Sequence, residues 1–326
     1  MFSATFLECL NHTFVKHPEL LSACRKLIED LDQKQNPNST QEKLISTLQQ
    51  QINNQRSPAY AFLVYSDVMC ALKSKGGNCR SVLELGPGAT LGSLFCFLAF
   101  GAGRAVGIDI SPIQKDAYYF QILKKYLSCV TSFGWDRPRN PQLEYDKSWQ
   151  DVDEQQLAER IEYFSPVNAA KLPFSDGEFD LVYSNAVLEH FEQPREAIEE
   201  SFRVLMPGGT AVHFIDLQSH NSKGELSLFR LSEAEHKQMS QCYDPEHGLR
   251  NILAGDWKDQ VFCNRLLAHE WKQLFTGAGF DVLNFKIMLK LNSQLITPSE
   301  FAYPFNQRTP EELAPLGLSV TVRRPT

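Results

Sequence analysis

The chain has 326 residues, 43% of them apolar, with a formal net charge of −7 and a pI near 5.7. That is room for one large domain, or one domain with an appendage, built around a sizeable core. The acidic balance and the lack of a long basic run exclude nucleic acid and anionic membrane as expected partners. Eight cysteines are scattered with no C-x-x-C spacing, so free thiols in a reducing cytoplasm are expected. The opening segment has no basic leader, and Glu8 interrupts its apolar stretch, so a signal peptide is not expected. The longest apolar run, 91–100, is about half a membrane span.

Residues 1–75 read as a helical cap, with a polar linker (DQKQNPNST) and a last helix from about Ser57 to Leu72. The remainder, 76–326, changes rhythm. SVLEL (81–85) reads as a short buried strand, LGSLFCFLAF (91–100) as a buried helix, and AVGIDI (105–110) as a second strand. A mixed helix and a proline-containing insertion (134–151) follow. Strands are expected at 161–169 and 179–186, a helix at 194–205 stopped by Pro207-Gly208-Gly209, and a fifth strand at 210–217. Residues 218–264 break the alternation and read as a lid insertion. A helix at 268–280 and two last strands, DVLNFKIML and LGLSVTVRR, complete a seven-strand count. Strand–helix alternation of this kind argues for a doubly wound α/β sheet, mostly parallel.

In such sheets ligands bind at the carboxyl ends of the strands, which directs attention to SVLELGPGATLG (81–92). A dinucleotide fingerprint is G-x-G-x-x-G with an acid about 20 residues on. Here the third glycine, Gly92, comes one residue late, although Asp109 stands 21 residues after Gly88. Glu84 opposes a dinucleotide, because a carboxylate ~6 Å from a pyrophosphate costs roughly 1–3 kcal/mol. A ligand with a cationic head is favoured, and S-adenosylmethionine fits: it has no phosphate, and it carries an ammonium and a sulfonium beside a ribose. Glycines let backbone approach its methionine part, and Asp109 can accept from both ribose hydroxyls.

ELGPG, GIDIS, NAAKLPFSDGEFDLVYSNAVLEHF and RVLMPGG resemble, in order and spacing, the motifs of class I S-adenosylmethionine-dependent methyltransferases, small-molecule branch. The resemblance is strong over about residues 80–217. It implies a Rossmann-like seven-stranded domain over 76–326 with the lid at 218–264. It also implies that Glu84, Gly86 and Gly88 surround the methionine moiety, that Asp109 holds the ribose, and that Ile110 lies against the adenine. Asn168, where the family usually has Asp, would accept from the adenine amino group, and Ala169 would offer its backbone amide. Ser184 and Asn185 would approach the methionine end. Gly92 is expected to serve helix–sheet packing, and Leu172-Pro173-Phe174 a rigid turn with a core anchor.

For the chemistry, His190 lies just beyond the fourth strand, where it is either a base for a hydroxyl acceptor or a shaper of the pocket. His220 is an alternative base, and Asp216 a residue that orients a histidine. Asp216, His220 and His190 lie on different loops with no ligand spacing, so no metal is expected. His213 is expected in the core. A weaker echo of bacterial secondary-metabolism O-methyltransferases in VFCNRLLAHEWKQLFTGAGF suggests a small acceptor, free or carrier-bound as in polyketide assembly. Arg265 and Trp271 either face the pocket or pack on the sheet. A small amine acceptor, a dehydrogenase and a non-catalytic relative are the competing readings.

Overall fold

Runs apolar on both faces form the middle of one seven-stranded sheet because they can bury their side chains only between two layers of helices, while the runs at its edges, 161–164 and 281–290, stay partly exposed. A computed structural model describes residues 57–73, 76–77, 79–88, 90–113, 115–132, 153–220, 224–242 and 262–326. The helices expected before residue 57, the insertion at 134–151 and part of the lid, 243–261, lie outside the described residues. The elements run α1 (Pro58–Lys73), β1 (Ser81–Leu85), α2 (Gly92–Ala99), β2 (Arg104–Ile108), α3 (Ala117–Ser132), α4 (Glu154–Glu159), β3 (Ile161–Phe164) and β4 (Phe179–Asn185). They continue with α5 (Pro194–Val204), β5 (Leu205–Asp216), α6 (Glu233–Cys242), α7 (Ala268–Gly277), β6 (Asp281–Lys290), α8 (Pro310–Leu313) and β7 (Pro315–Arg323).

The strand order is β3-β2-β1-β4-β5-β7-β6. β1 to β5 pair in parallel, and β7 runs antiparallel to both β5 and β6. The order reverses between β1 and β4, which opens a crevice at their carboxyl ends. Two cores flank the sheet. One joins Val82, Tyr183 and Val212 to Tyr65 of α1, Phe95 of α2 and Phe120 of α3. The other joins Leu83, Val182 and Ala211 to Ile198 of α5 and to Trp271 and Phe275 of α7. Alternation along each strand divides its side chains between the two. Because α1 shares a core with β1 and β4, the domain boundary expected at residue 75 runs through packed structure.

Several expectations are corrected. β3 ends at Phe164 instead of 169. α5 passes directly into β5 at Leu205, so Pro207-Gly208-Gly209 is not a turn between elements. The pairing jumps from Phe179–Leu205 to Leu181–Thr210, and the three residues form a bulge that the strand absorbs. The connection between β6 and β7, to which the sequence assigned nothing, carries three 3-10 turns and α8. Its Ile296, Phe301, Phe305 and Leu313 pack with Phe229 and Leu267 in a third core, which anchors the described part of the 218–264 segment. No helix among the described residues is long and apolar enough to cross a membrane.

Gly92 does not serve helix–sheet packing. A methyl group placed on it would lie 2.6 Å from Cβ of Ala61 and against the hydroxyl of Tyr119, so it lets α1 and α3 close on α2. Backbone and neighbouring helices must shift to admit a side chain there. Gly92→Ala is expected to cost about 1–3 kcal/mol, read as a lower urea midpoint. Gly103→Ala, at an exposed site with only the Arg80 carbonyl at 3.5 Å, is expected to stay within about 1 kcal/mol of wild type.

Candidate functional site

The crevice is a cavity of about 500 Å³, within the roughly 300–1,000 Å³ of small-molecule sites. It is bounded by the ends of β1, β2, β4 and β5. Under the β1–α2 loop lie Glu84, Gly86, Gly88 and Ser93; beside β2 lie Asp109 and Ile110, with Asn168 and Ala169 facing them. Asn185, His190, Asp216 and His220 line the other part. Of the twelve residues singled out from sequence, eleven line this one cavity. Ser184 does not: it is fully buried, and its Oγ lies 2.8 Å from Nδ1 of His213 in the sheet. Strand alternation sends Ser184 into the layers and leaves Asn185, one residue on, for the cavity.

The loop is shaped by its backbone. Gly86 has φ +65°, and its N–H donates to the Ile108 carbonyl at 2.9 Å, tying the turn to the end of β2. A side chain there would strike Val187 at 2.7 Å. Glu84 is 3% exposed, lying under the loop, and its Oε2 accepts from Ser93 Oγ at 2.6 Å. Burial pushes its carboxyl up to about 7, against the pull of the Ser93 hydrogen bond. The full negative charge expected at the loop mouth is thereby corrected: by itself the group is about half protonated at neutral pH, and a cationic ligand would complete its ionisation.

Asp109 follows β2. Its Oδ1 accepts from the Ser111 N–H at 2.9 Å, and burial raises its carboxyl. Asn168 is exposed, and its Oδ1 accepts from the Ala170 N–H at 2.9 Å, so it enters any further hydrogen bond with one lone pair committed. Ile110 is 47% exposed, an apolar surface at the cavity edge. Asn185 Nδ2 donates to Tyr60 Oη at 2.8 Å. Tyr60, on α1, also lines the cavity and was not foreseen; a lone Tyr in an apolar helix carries no signal in sequence.

At the other end the polar groups crowd. His190 ends a 3-10 turn, with Nδ1 2.8 Å from the Phe262 carbonyl and 3.5 Å from Cys263 Sγ. Its ring meets that of His220 edge-on, with centroids 5.1 Å apart. Burial, and then His220, hold the His190 imidazole down to about 4, so it is neutral at pH 7. His220 Nε2 lies 3.3 Å from Asp216 Oδ2. Burial would raise the Asp216 carboxyl, but His220 and the Gln218 donors outweigh it and hold it below its ordinary range. Glu189 is buried behind them, and burial holds its carboxyl well above the usual carboxylate range. Asn264 pins the turn by donating from Nδ2 to the carbonyls of Leu188 and Phe191 at 2.9 and 3.1 Å. Arg265 instead donates to the Leu231 carbonyl, and Trp271 is in the core, so neither faces the cavity.

Glu84 makes a testable contribution to stability. Its folded carboxyl titrates near 7 against an ordinary value of 4.5. The folded state therefore binds the extra proton between those values, and its contribution is full below the lower and lost as pH rises through the higher. Between pH 5 and pH 8 wild type is expected to lose on the order of 2–3 kcal/mol more stability than Glu84→Gln, measured by denaturant titration. Parallel pH profiles would contradict this.

Residues 142–213 match the family model described as a methyltransferase domain. A curated relative, the mitochondrial 2-methoxy-6-polyprenyl-1,4-benzoquinol methylase of Danio rerio, is 27% identical over 184 residues, covering 55% of this chain and 47% of that protein. The chain thus spans about half the length of this relative. Among solved structures, an S-adenosylmethionine-dependent methyltransferase from Mesorhizobium loti is 18% identical, covering 79% of this chain and 96% of its own, with a TM-score of 0.40. Phosphoethanolamine N-methyltransferase 2 of Haemonchus contortus, in complex with S-adenosyl-L-methionine, is 15% identical over 80% of this chain and 53% of its own, again at 0.40. At that score these two likenesses add nothing to what the sheet itself shows. The family match covers residues 142–213, and the glycine loop, the acid after β2 and the strand order are those of a Rossmann-like methyltransferase fold.

Proposed function

We propose that the protein transfers the methyl group of S-adenosylmethionine to a hydroxyl of a small organic acceptor and releases S-adenosylhomocysteine. One observation carries this reading: a single cavity has two chemically different ends. Glu84 and Asp109 offer carboxylates to an ammonium and a ribose, while His190, Asp216 and His220 gather where an acceptor would stand. In the transfer, the acceptor oxygen bonds to the methyl carbon as the carbon–sulfur bond breaks and its electron pair stays on sulfur. The hydroxyl proton passes to an imidazole, with the neutral His190 the first candidate and His220, beside Asp216, the second. Glu84, Gly86, Gly88 and Asn185 take the methionine part, Asp109 the ribose, and Ile110, Asn168 and Ala169 the adenine.

The acceptor class is a secondary metabolite in the cytoplasm, free or presented by a carrier protein, with the lid over 218–264 closing on it. The benzoquinol named for the Danio rerio relative is a hydroxyl-bearing ring, which supports an oxygen-rich acceptor. A small amine is the second reading. The observation in its favour is the imidazole of His190, which at about 4 is a weak base, and a neutral amine needs only desolvation and aim.

Calorimetry with S-adenosylhomocysteine is expected to show binding, with none for NAD. Asp109→Ala is expected to weaken nucleoside binding about 10–100-fold, the worth of charge-assisted hydrogen bonds to the ribose. His190→Ala is expected to leave nucleoside affinity in place and lower kcat on a hydroxyl acceptor by about 10²–10⁴. Unchanged turnover in that variant would remove the base role and favour the amine.

A further inference from the structure

Behind the acceptor end of the cavity, three soft or borderline ligand groups meet that no sequence spacing announced. One ligand atom each from His190, His220 and Cys263 lies within 4.8 Å of the other two. Cys263 is 1% exposed and lies behind the cavity lining, its Sγ 3.5 Å from His190 Nδ1, while both histidines line the cavity. We propose that His190, His220 and Cys263 bind one divalent transition-metal ion of the zinc class beside the acceptor end of the cavity.

The donor set suits that class. Thiolate and imidazole together select zinc and its neighbours over magnesium or calcium, which take oxygen ligands. Three protein ligands leave a fourth position, and the side open to the cavity is where a small molecule can fill it. Asp216 stands beside the trio through its 3.3 Å contact with Nε2 of His220, as a carboxylate that orients a ligand histidine does. The charges also balance: a thiolate and the Asp216 carboxylate match a divalent ion. His190 turns Nδ1 toward Cys263 Sγ at 3.5 Å, and ligation through it exchanges its contact with the Phe262 carbonyl at 2.8 Å.

A second observation points the same way. The carboxyl of Glu189 is buried, and its Oε1 is 3.8 Å from His190 Nε2. A buried carboxyl ionises readily only where a positive charge stands near it. A divalent ion on the adjoining histidines supplies one. The site is the acceptor end of the proposed transferase and the assignment rests on that reading, but it replaces the imidazole base: with both histidines held as ligands, a metal-bound hydroxyl ionises more readily than a free one and gives its proton to solvent.

The test is a cobalt(II) titration of the metal-free full chain, followed by absorbance. One equivalent is expected to bind with a thiolate-to-cobalt charge-transfer band. That band should vanish in Cys263→Ser, and affinity should fall at least about tenfold in His220→Asn. Near-ultraviolet circular dichroism reports whether each variant folds. If Cys263→Ser does not fold, the His220→Asn affinity decides, and an unchanged value overturns the site. No band in wild type, or the same band in a folded Cys263→Ser, overturns it as well. Binding of S-adenosylhomocysteine is measured separately: cobalt without nucleoside would keep the metal site and sink the transferase reading, and nucleoside without cobalt would do the reverse.

Discussion

The hydrogen bond from Ser93 Oγ to Glu84, at 2.6 Å, joins the last turn of strand β1 to the first turn of helix α2 across the glycine loop. A buried carboxyl in an apolar layer is expensive, and this donor offsets part of the cost. The loop must then turn tightly between the two, which is why Gly86 holds a positive φ and leaves no room beside Val187. Everything at the crevice follows from that turn. The Gly86 N–H fixes the end of β2, which sets Asp109, and the reversal of strand order beside β1 opens the space that both acids face.

The two ends of the cavity are held by different means. The Glu84–Asp109 end rests on strand ends and a short loop, all within the central sheet. The His190 end rests on a cross-brace from outside it. Asn264 and the Phe262 carbonyl fasten the 188–190 turn, and residues 262–267 lead into α7, whose Trp271 and Phe275 are fully buried. The described residues of 218–264 are tied in turn to the β6–β7 connection through Phe229, Phe301 and Phe305. A change in the β6–β7 connection can therefore reach the His190 end through packing while leaving the Glu84–Asp109 end alone.

The sequence revealed most where a residue's role depends on the local chain. Seven strands, the helix positions and the acid after β2 were legible because apolar runs and glycines report directly on burial and turns. Gly86, Gly88 and Asp109 fell into one cavity for that reason. What stayed hidden depends on distant segments meeting. Tyr60 reaches Asn185 across 125 positions and Cys263 reaches His190 across 73, and nothing near either residue marks it. Ser184 was misplaced by a single step along β4, since the choice of face turns on register. The bulge at Pro207-Gly208-Gly209 was misread because a proline–glycine cluster signals a turn equally well whether a strand ends there or bends.

The central claim is that one cavity places a nucleoside against Asp109 and its sulfur toward the histidines. The most direct measurement is a crystal structure of the protein with S-adenosylhomocysteine. The account predicts ribose hydroxyls on the Asp109 carboxylate, the amino group near Glu84, and the sulfur facing the space before His190 and His220. Density for the nucleoside in any other place, or a ribose turned away from Asp109, would contradict it.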